Sequence, residues 1–476
     1  RCCTQNGIRG GSATVHFPIW HQEIEDIMVL KNNKGTEDNR VRKLDYSIQM
    51  SKLFYTRFIQ NGDITLFSPH DVPGLYDAFG TDLFDDLYVR YESDKYTPRK
   101  TVKAQELILD LLKERAETGR ISIMNLDHCN SHSSFLDKVE MSNLCQEITL
   151  PTSPLNHIDG EGEIALCILS AVNVGKLRNL EEMEELCDLA VRGLDELIDF
   201  QGYPIKAAEI ATKNRRSLGI GYIGLAHYLA KHHANYADPE ALQLVHDLSE
   251  HFQYYLIKAT TTLAKEKGAC GWSHRTKYSQ GILPIDTYKS DVDGLVPNNL
   301  SLDWEALRAD CIKYGVRNST LSAQMPSESS SVVCNATNGI EPPRGYISTK
   351  RSKKGPLKQI VPSFQTLKQH YTLLWDMKSN EGYINIVAIM QKFFDQAISG
   401  NWSYNPENYP DGEVPVSVMV KDWLTTYKMG WKTSYYQNTY DTSSDGEEEE
   451  VKEETMDDIL ATLDNADDET CDSCAI

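Results

Sequence analysis

Apolar positions recur at helical spacing most clearly over 183–200, where Met183, Leu186, Leu189, Ala190, Leu194, Leu197 and Ile198 follow an acidic first turn. A second long helix is predicted from about Pro239 to Lys267, stopping at Gly268, a residue suited to the left-handed position past a helix end. A third runs from about Val414 to Met429 and stops at Gly430. Mixed helical periodicity covers 22–30 and 45–60, and the Pro and Gly content of Ser68 to Gly74 marks a loop. Short β-rich runs lie between these stretches at Ile64 to Phe67, Ile121 to Leu126, Asn143 to Leu150, Ile164 to Val174 and Trp431 to Tyr436. Helices alternating with strands over this length read as α/β, with a barrel or large sheet as the natural architecture, and no internal repeat is visible.

Composition narrows the class. With 476 residues, 40% of them apolar and 25% charged, the chain is a globular protein with ample core. No run approaches a membrane span and no secretory signal opens the chain, so a cytoplasmic location without membrane contact is expected. A net charge of -21 argues against direct nucleic-acid binding, because phosphate backbones call for basic surface. Much of the excess sits between Asp445 and Thr470, where thirteen acidic residues face one Lys. From Ser443 onward a Ser, Asp and Glu run cannot bury enough apolar surface to fold, so a disordered C-terminal tail is predicted. The division expected is a folded part over 1–440 and a flexible acidic tail over 441–476.

Eleven cysteines in a chain of this kind point to buried, redox or catalytic thiols rather than a disulfide scaffold. Over Ser142 to Ile148, an extended segment would place Asn143, Cys145 and Glu147 on one face, spaced by roughly 6–7 Å. That face carries an amide, a thiol and a carboxylate, although pattern alone leaves open a polar strand around an inert buried Cys. The chain ends in Cys471-Asp472-Ser473-Cys474-Ala475-Ile476. Such a pair on a flexible tail can close a small disulfide and meet exchange partners, and it lacks the further ligands of a structural zinc. At Met325 to Ser331, small hydroxyl residues follow a Pro, as at a helix start whose free N–H groups can hold a phosphate or merely form an N-cap. Tyr435-Tyr436 reads first as aromatic strand packing.

Taken together, these motifs resemble the catalytic large subunit of class I ribonucleoside-diphosphate reductase. The match is carried by Asn143-Leu144-Cys145-Gln146-Glu147 with the later Cys167, by Pro326 to Ser331 followed by Asn335 to Gly345, by Tyr435-Tyr436-Gln437-Asn438 and by the Cys-x-x-Cys tail. The resemblance implies a ten-stranded α/β barrel, incomplete in this chain, with Cys145 on an interior loop as the transient thiyl radical. It implies that Glu147 is the base on the substrate's 3′ hydroxyl and that Asn143 holds a substrate hydroxyl. Cys167 is implied to be one of two thiols that reduce the 2′ position. Ser327, Glu328, Ser329 and Ser330 match the segment that holds the diphosphate.

Tyr435 and Tyr436 match the pair that passes an oxidising equivalent from a small subunit with a metal-radical cofactor, di-iron being expected. Adjacent residues of a regular strand face opposite sides, so such a relay requires a local break in the strand. Cys471 and Cys474 would re-reduce the active site and then be reduced by thioredoxin or glutaredoxin. No metal or covalent cofactor is expected in this chain, and the small molecules implied are nucleoside diphosphate substrates with dNTP and ATP effectors.

The chain opens at Arg1-Cys2-Cys3 without an initiator Met, and residues 1–11 resemble the specificity loop, with Gln5 and Arg9 as its working side chains. The family's regulatory domain and first barrel strands have no counterpart here. The expectation is a C-terminal piece of a split or truncated large subunit that needs an N-terminal complement. A cobalamin-dependent reductase, which has no use for the tyrosine pair, and a catalytically silent binding or regulatory subunit are the rival readings. Gly219 to Gly224 fits the dinucleotide-binding pattern but follows Asn214-Arg215-Arg216-Ser217 rather than a strand, so close helix packing is expected there. Asp127-His128-Cys129 with His132 matches no standard zinc spacing.

Overall fold

Backbone hydrogen bonds trace one arc of extended segments around the molecule. The computed structural model describes residues 4–5, 9–157, 160–166, 168–352 and 355–440. Thr14–Pro18, Asp45–Met50 and Ile121–Asn125 run parallel, pairing Thr14 with Asp45 and Tyr46 with Ile121. Thr433–Ser434 lies antiparallel to the last of these. A second parallel group begins with Ile168–Asn173 beside Leu218–Ile223. It continues through Leu218 N to Thr320 O at 3.1 Å, Gln324 N to Ala397 O at 3.1 Å and Tyr435 N to Gly400 O at 2.8 Å. The segment around Thr433 thereby joins two parallel groups of opposite direction. Among the described residues the arc thus comprises six strands and two extended segments, around 322 and 398, joined by single parallel bridges.

Helices pack outside the arc. Pro239–Lys267 starts with its Pro at the first helical position, where a missing N–H costs nothing, and ends before Gly268 at φ 86°. It lies along Glu182–Phe200 and Glu381–Phe393. Glu182–Phe200 carries Glu182, Glu184 and Glu185 in its first turn, a favourable match to the helix dipole. The face it buries is Met183, Cys187, Val191, Leu194 and Ile198, while Leu186, Leu189 and Leu197 of the predicted stripe are exposed. Asp195 joins the buried face because Arg216, Arg317 and Asn318 all bond its carboxylate.

Other departures from the sequence reading have local causes. The mixed periodicity of 45–60 resolves into the strand Asp45–Met50 and the helix Lys52–Ile59. The strand alternates polar and apolar residues, yet Tyr46 to Met50 are all buried: it is flanked by a strand on each side, and its polar face, Ser47 and Gln49, bonds Gln146 and Glu140 instead of water. The third helix is shorter than predicted, Val416–Lys428. Gly219 to Ile223 lies in a strand rather than at a helix contact, and Gly224, at φ 81°, leads into the helix Leu225–Lys231; a Cβ on Gly221 would lie 2.6 Å from Ala323 O of the neighbouring segment. The run Asn143 to Leu150 is not a strand at all.

Candidate functional site

Residues 142–149 form a loop that crosses the interior of the arc and is tied to strands of both parallel groups. Gln146 takes φ 71°, a left-handed conformation that ends any strand alternation at that point. Its N–H bonds to Asn143 O at 3.3 Å, and its side chain accepts from Ser47 Oγ at 3.0 Å. Its carbonyl accepts from Thr433 Oγ1 at 2.9 Å. Thr14 Oγ1, on the strand beside that of Ser47, donates to Leu144 O at 3.3 Å, and on the far side Ala397 N donates to Glu147 O at 3.0 Å. The flat strand face predicted for Asn143, Cys145 and Glu147 is therefore wrong, yet the turn brings the same three residues together.

Glu147 is buried, and burial raises its carboxyl pKa, opposed by hydrogen bonds from the Asn143 side chain and Ser399. Ser399 Oγ lies 2.5 Å from Cys145 O and 3.2 Å from Glu147 Oε2, so its single proton serves one of them at a time. Asn143 Oδ1 accepts from Ile148 N at 3.1 Å, which turns its amide NH2 toward the carboxylate. A buried carboxyl with raised proton affinity is suited to taking a proton from a group that it touches.

Tyr435 Oη lies 3.6 Å from Cys145 Sγ. The ring of Tyr436 stacks on that of Tyr435, centroids 3.6 Å apart and planes inclined by 22°. The break that stacking requires is present: Thr433–Ser434 ends before the pair and Gln437–Thr439 begins after it. Burial, then the contact with Tyr436 and the nearby thiol, push the Tyr435 phenol far above its ordinary pKa, so it keeps its proton at neutral pH. A phenol in contact with a thiol can exchange a hydrogen atom with it, and a stacked second phenol extends that exchange by one step.

The segment 326–331 follows directly on the strand segment that bonds Ser399, since Ser399 N donates to Gln324 O at 2.9 Å. A short helix, Glu328–Val333, does start there. The amides of Ser330 and Ser331 donate to Ser327 O, while Glu328, Ser329 and Ser330 are exposed. Cys167, Cys471 and Cys474 lie outside the described residues. Gln5 and Arg9 fall on a short antiparallel backbone pair, Thr4–Gln5 with Arg9–Gly10, and their side chains lie outside the description.

Ser399, Arg115, Asn401 and Glu341 were not singled out by sequence. Only Glu341 had a signal, its place inside Asn335 to Gly345. The His and Cys residues near Asp127 are engaged in the core: His128 Nδ1 meets Trp431 O at 2.9 Å and His132 bridges Thr287 and Gln391. Among the described residues no three His, Cys, Asp or Glu side chains gather as a metal-binding set, and no helix is long and apolar enough to cross a membrane.

Residues 1–437 match the family described as ribonucleotide reductase, barrel domain. The chain is 57% identical over 455 residues to the ribonucleoside-diphosphate reductase subunit alpha of Haemophilus influenzae, covering 94% of this chain and 60% of that protein. It is 55% identical over 457 residues to subunit alpha of ribonucleoside-diphosphate reductase 1 of Escherichia coli, with 95% and 60% covered. The corresponding subunit of phage T4 is 44% identical over 471 residues, with 97% and 62% covered. The chain thus spans about 60% of the length of these bacterial relatives. An arc of parallel strands in two opposed groups, an interior loop carrying the cysteine, and a match over 437 residues agree: the chain belongs to the ribonucleotide reductase barrel-domain family.

Proposed function

We propose that this chain carries the thiyl-radical centre of a ribonucleoside-diphosphate reductase and acts together with the remaining part of the large subunit. The observation that carries the reading is the contact of Tyr435 Oη with Cys145 Sγ at 3.6 Å, with Tyr436 stacked behind it. A phenoxyl radical on Tyr435 takes the hydrogen atom of the Cys145 thiol, so an O–H bond forms as the S–H bond breaks. The thiyl radical then takes the substrate's 3′ hydrogen. Glu147 accepts the 3′ hydroxyl proton, a task suited to a carboxyl of raised proton affinity, and Asn143 orients a substrate hydroxyl. The 2′ hydroxyl leaves as water, and two thiols supply the two electrons, ending as a disulfide. Cys167 is one of them.

In this reading Ser327, Glu328, Ser329 and Ser330 hold the diphosphate, and Gln5 and Arg9 link dNTP effectors to substrate choice. Cys471 and Cys474 reduce the spent disulfide and are reduced in turn by thioredoxin or glutaredoxin. A small subunit with a metal-radical cofactor, di-iron being the expectation, supplies the oxidising equivalent to Tyr436. The cell compartment proposed is the cytoplasm.

The test is diphosphate reduction by the chain with a radical-generating small subunit, with and without the remaining portion of a large subunit. Reduction that Cys145→Ser and Tyr435→Phe each abolish supports the proposal. Reduction that survives either change refutes it.

A further inference from the structure

The stacked tyrosines sit where the strand is interrupted, so their backbone groups need partners other than a regular ladder. All four are satisfied. Tyr435 N donates to Gly400 O at 2.8 Å, and Tyr435 O accepts from Arg115 Nη1 at 2.7 Å and Ser122 Oγ at 3.3 Å. Tyr436 O accepts from Arg115 Nη2 at 3.2 Å and Trp402 N at 2.9 Å. The remaining group, Tyr436 N–H, is held by a side chain, Asn401 Oδ1, at 2.9 Å. An amide side chain can serve there only if its oxygen faces Tyr436, because the NH2 end would set donor against donor. Its orientation is fixed from the other end: Asn401 Nδ2 donates to Glu341 Oε1 at 2.6 Å. Glu341 follows the helix Glu328–Val333 by one turn of chain, and Asn338 in that turn donates to Glu328 Oε1 at 3.1 Å.

We propose that Glu341 and Asn401 are positioning residues of the radical relay, a carboxylate and an amide that together hold the backbone of Tyr436 so that its ring stacks on Tyr435. The inference rests on the relay reading given above and deepens it by adding two residues that act through the backbone of Tyr436. It also gives the proposed phosphate-binding segment a bonded path to the relay: Glu328 accepts from Asn338, Asn338 O accepts from Glu341 N at 3.3 Å, and Glu341 accepts from Asn401. The donor order is Tyr436 N–H to Asn401, then Asn401 N–H to Glu341. Any pair of side chains that leaves an acceptor for Tyr436 N–H at 401 and matches one donor to one acceptor between 401 and 341 should preserve the geometry.

That condition allows a test by exchange, run on the assembled reductase with kcat and KM for the diphosphate measured separately and thermal unfolding measured alongside. Asn401→Asp places two carboxylates face to face and should lower kcat by about tenfold or more with KM changed by less than about threefold, the signature of misplaced reacting groups. Glu341→Gln keeps an acceptor for Asn401 and should stay within about threefold of the parent. The double exchange Asn401→Asp with Glu341→Gln reverses the second bond, the amide at 341 donating to a carboxylate at 401 that still accepts from Tyr436 N–H, so every group is again paired and kcat should recover. Glu341→Ala should behave as Asn401→Asp does. If Asn401→Asp fails to fold, recovery in the folded double exchange carries the same information.

The inference is overturned if Asn401→Asp keeps the parent's kcat, or if the double exchange folds but stays as slow as Asn401→Asp. Those results leave the relay itself intact provided Tyr436→Phe and Cys145→Ser are inactive. Activity in Tyr436→Phe or Cys145→Ser would instead remove the reading on which the inference rests.

Discussion

Replacing Glu147 by Gln should stabilise the folded chain, and the gain should grow with pH. The carboxyl is buried, and the hydrogen bonds from Asn143 and Ser399 do not fully offset the loss of solvation, which is why its pKa is raised. A carboxyl whose folded value lies above its unfolded value binds more protons in the folded state between the two, so stability falls as pH rises through that window. Each tenfold difference in proton affinity corresponds to about 1.4 kcal/mol. An imperfectly compensated buried polar group typically costs about 1–3 kcal/mol, and that is the range the neutral amide should recover at pH 8. Gln fits the same partners, since Ser399 can rotate to accept from its NH2 while Oε1 accepts from Asn143. The assay is urea unfolding of parent and Glu147→Gln between pH 4.5 and 8, where all other titrating groups cancel in the difference. The expected result is a difference near zero at the acid end that opens in favour of the variant as pH rises. A constant difference across the range, or one that closes with rising pH, would refute the claim that the carboxylate is held at a cost.

Arg115 and Lys432 extend the same physics to cations. Arg115 is buried, with its pKa lowered to about 9 by burial, and it binds the carbonyls of Ile121, Tyr435 and Tyr436 beneath the Trp402 ring. Arg115→Met should cost about 2–4 kcal/mol in urea unfolding and abolish reduction; wild-type turnover would show that the tyrosine pair is held without it. Lys432, wholly buried with Nζ on the carbonyls of Phe394, Asp395 and Gln396, has its pKa lowered to about 7 by burial. A base depressed on folding binds fewer protons in the folded state above that value, so the parent should gain stability from pH 7 to 9.5. In Lys432→Met that gain should disappear, as read by thermal midpoints.

How much of this the sequence disclosed depends on the range of the contacts involved. Glu182–Phe200 and Pro239–Lys267 were legible because their period, acidic first turn and terminal Gly are written within the segment itself. Asp45–Met50 was misread although it alternates, because it is six residues long and runs through Ser51 straight into the helix Lys52–Ile59, so the two periods blur into one mixed segment. At the candidate site, the resemblance located Cys145, Glu147 and the tyrosine pair, but the local shape assigned to 143–150 failed at one residue. Nothing in the identity of Gln146 announces a positive φ, which is imposed by Ser47 and Thr433, about 100 and 290 residues away in sequence. Ser399, Asn401 and Arg115 were silent for the same reason: each acts through bonds to backbone groups distant in sequence, and such bonds leave no periodic trace.

Gln146 offers the sharpest trial of that explanation. Its left-handed backbone costs a non-glycine residue roughly 1–2 kcal/mol, and the structure sets against this the bonds from Ser47 and Thr433 and the bond of Nε2 to Asn143 O at 3.1 Å. Gln146→Gly removes the backbone penalty along with two side-chain bonds worth about 1 kcal/mol each, so the net loss should be small, about 1 kcal/mol or less. Gln146→Val loses the same two bonds and adds a β-branched side chain at positive φ, where such residues are outliers. It should be less stable than the Gly variant by about 1–3 kcal/mol, and it should displace Cys145 from Tyr435, because the turn at 146 is what aims both flanking side chains. Urea unfolding gives the first comparison and turnover the second. Were Val tolerated as well as Gly, the loop would have to hold its shape without the left-handed residue, and the account of how Asn143, Cys145 and Glu147 converge would fall with it.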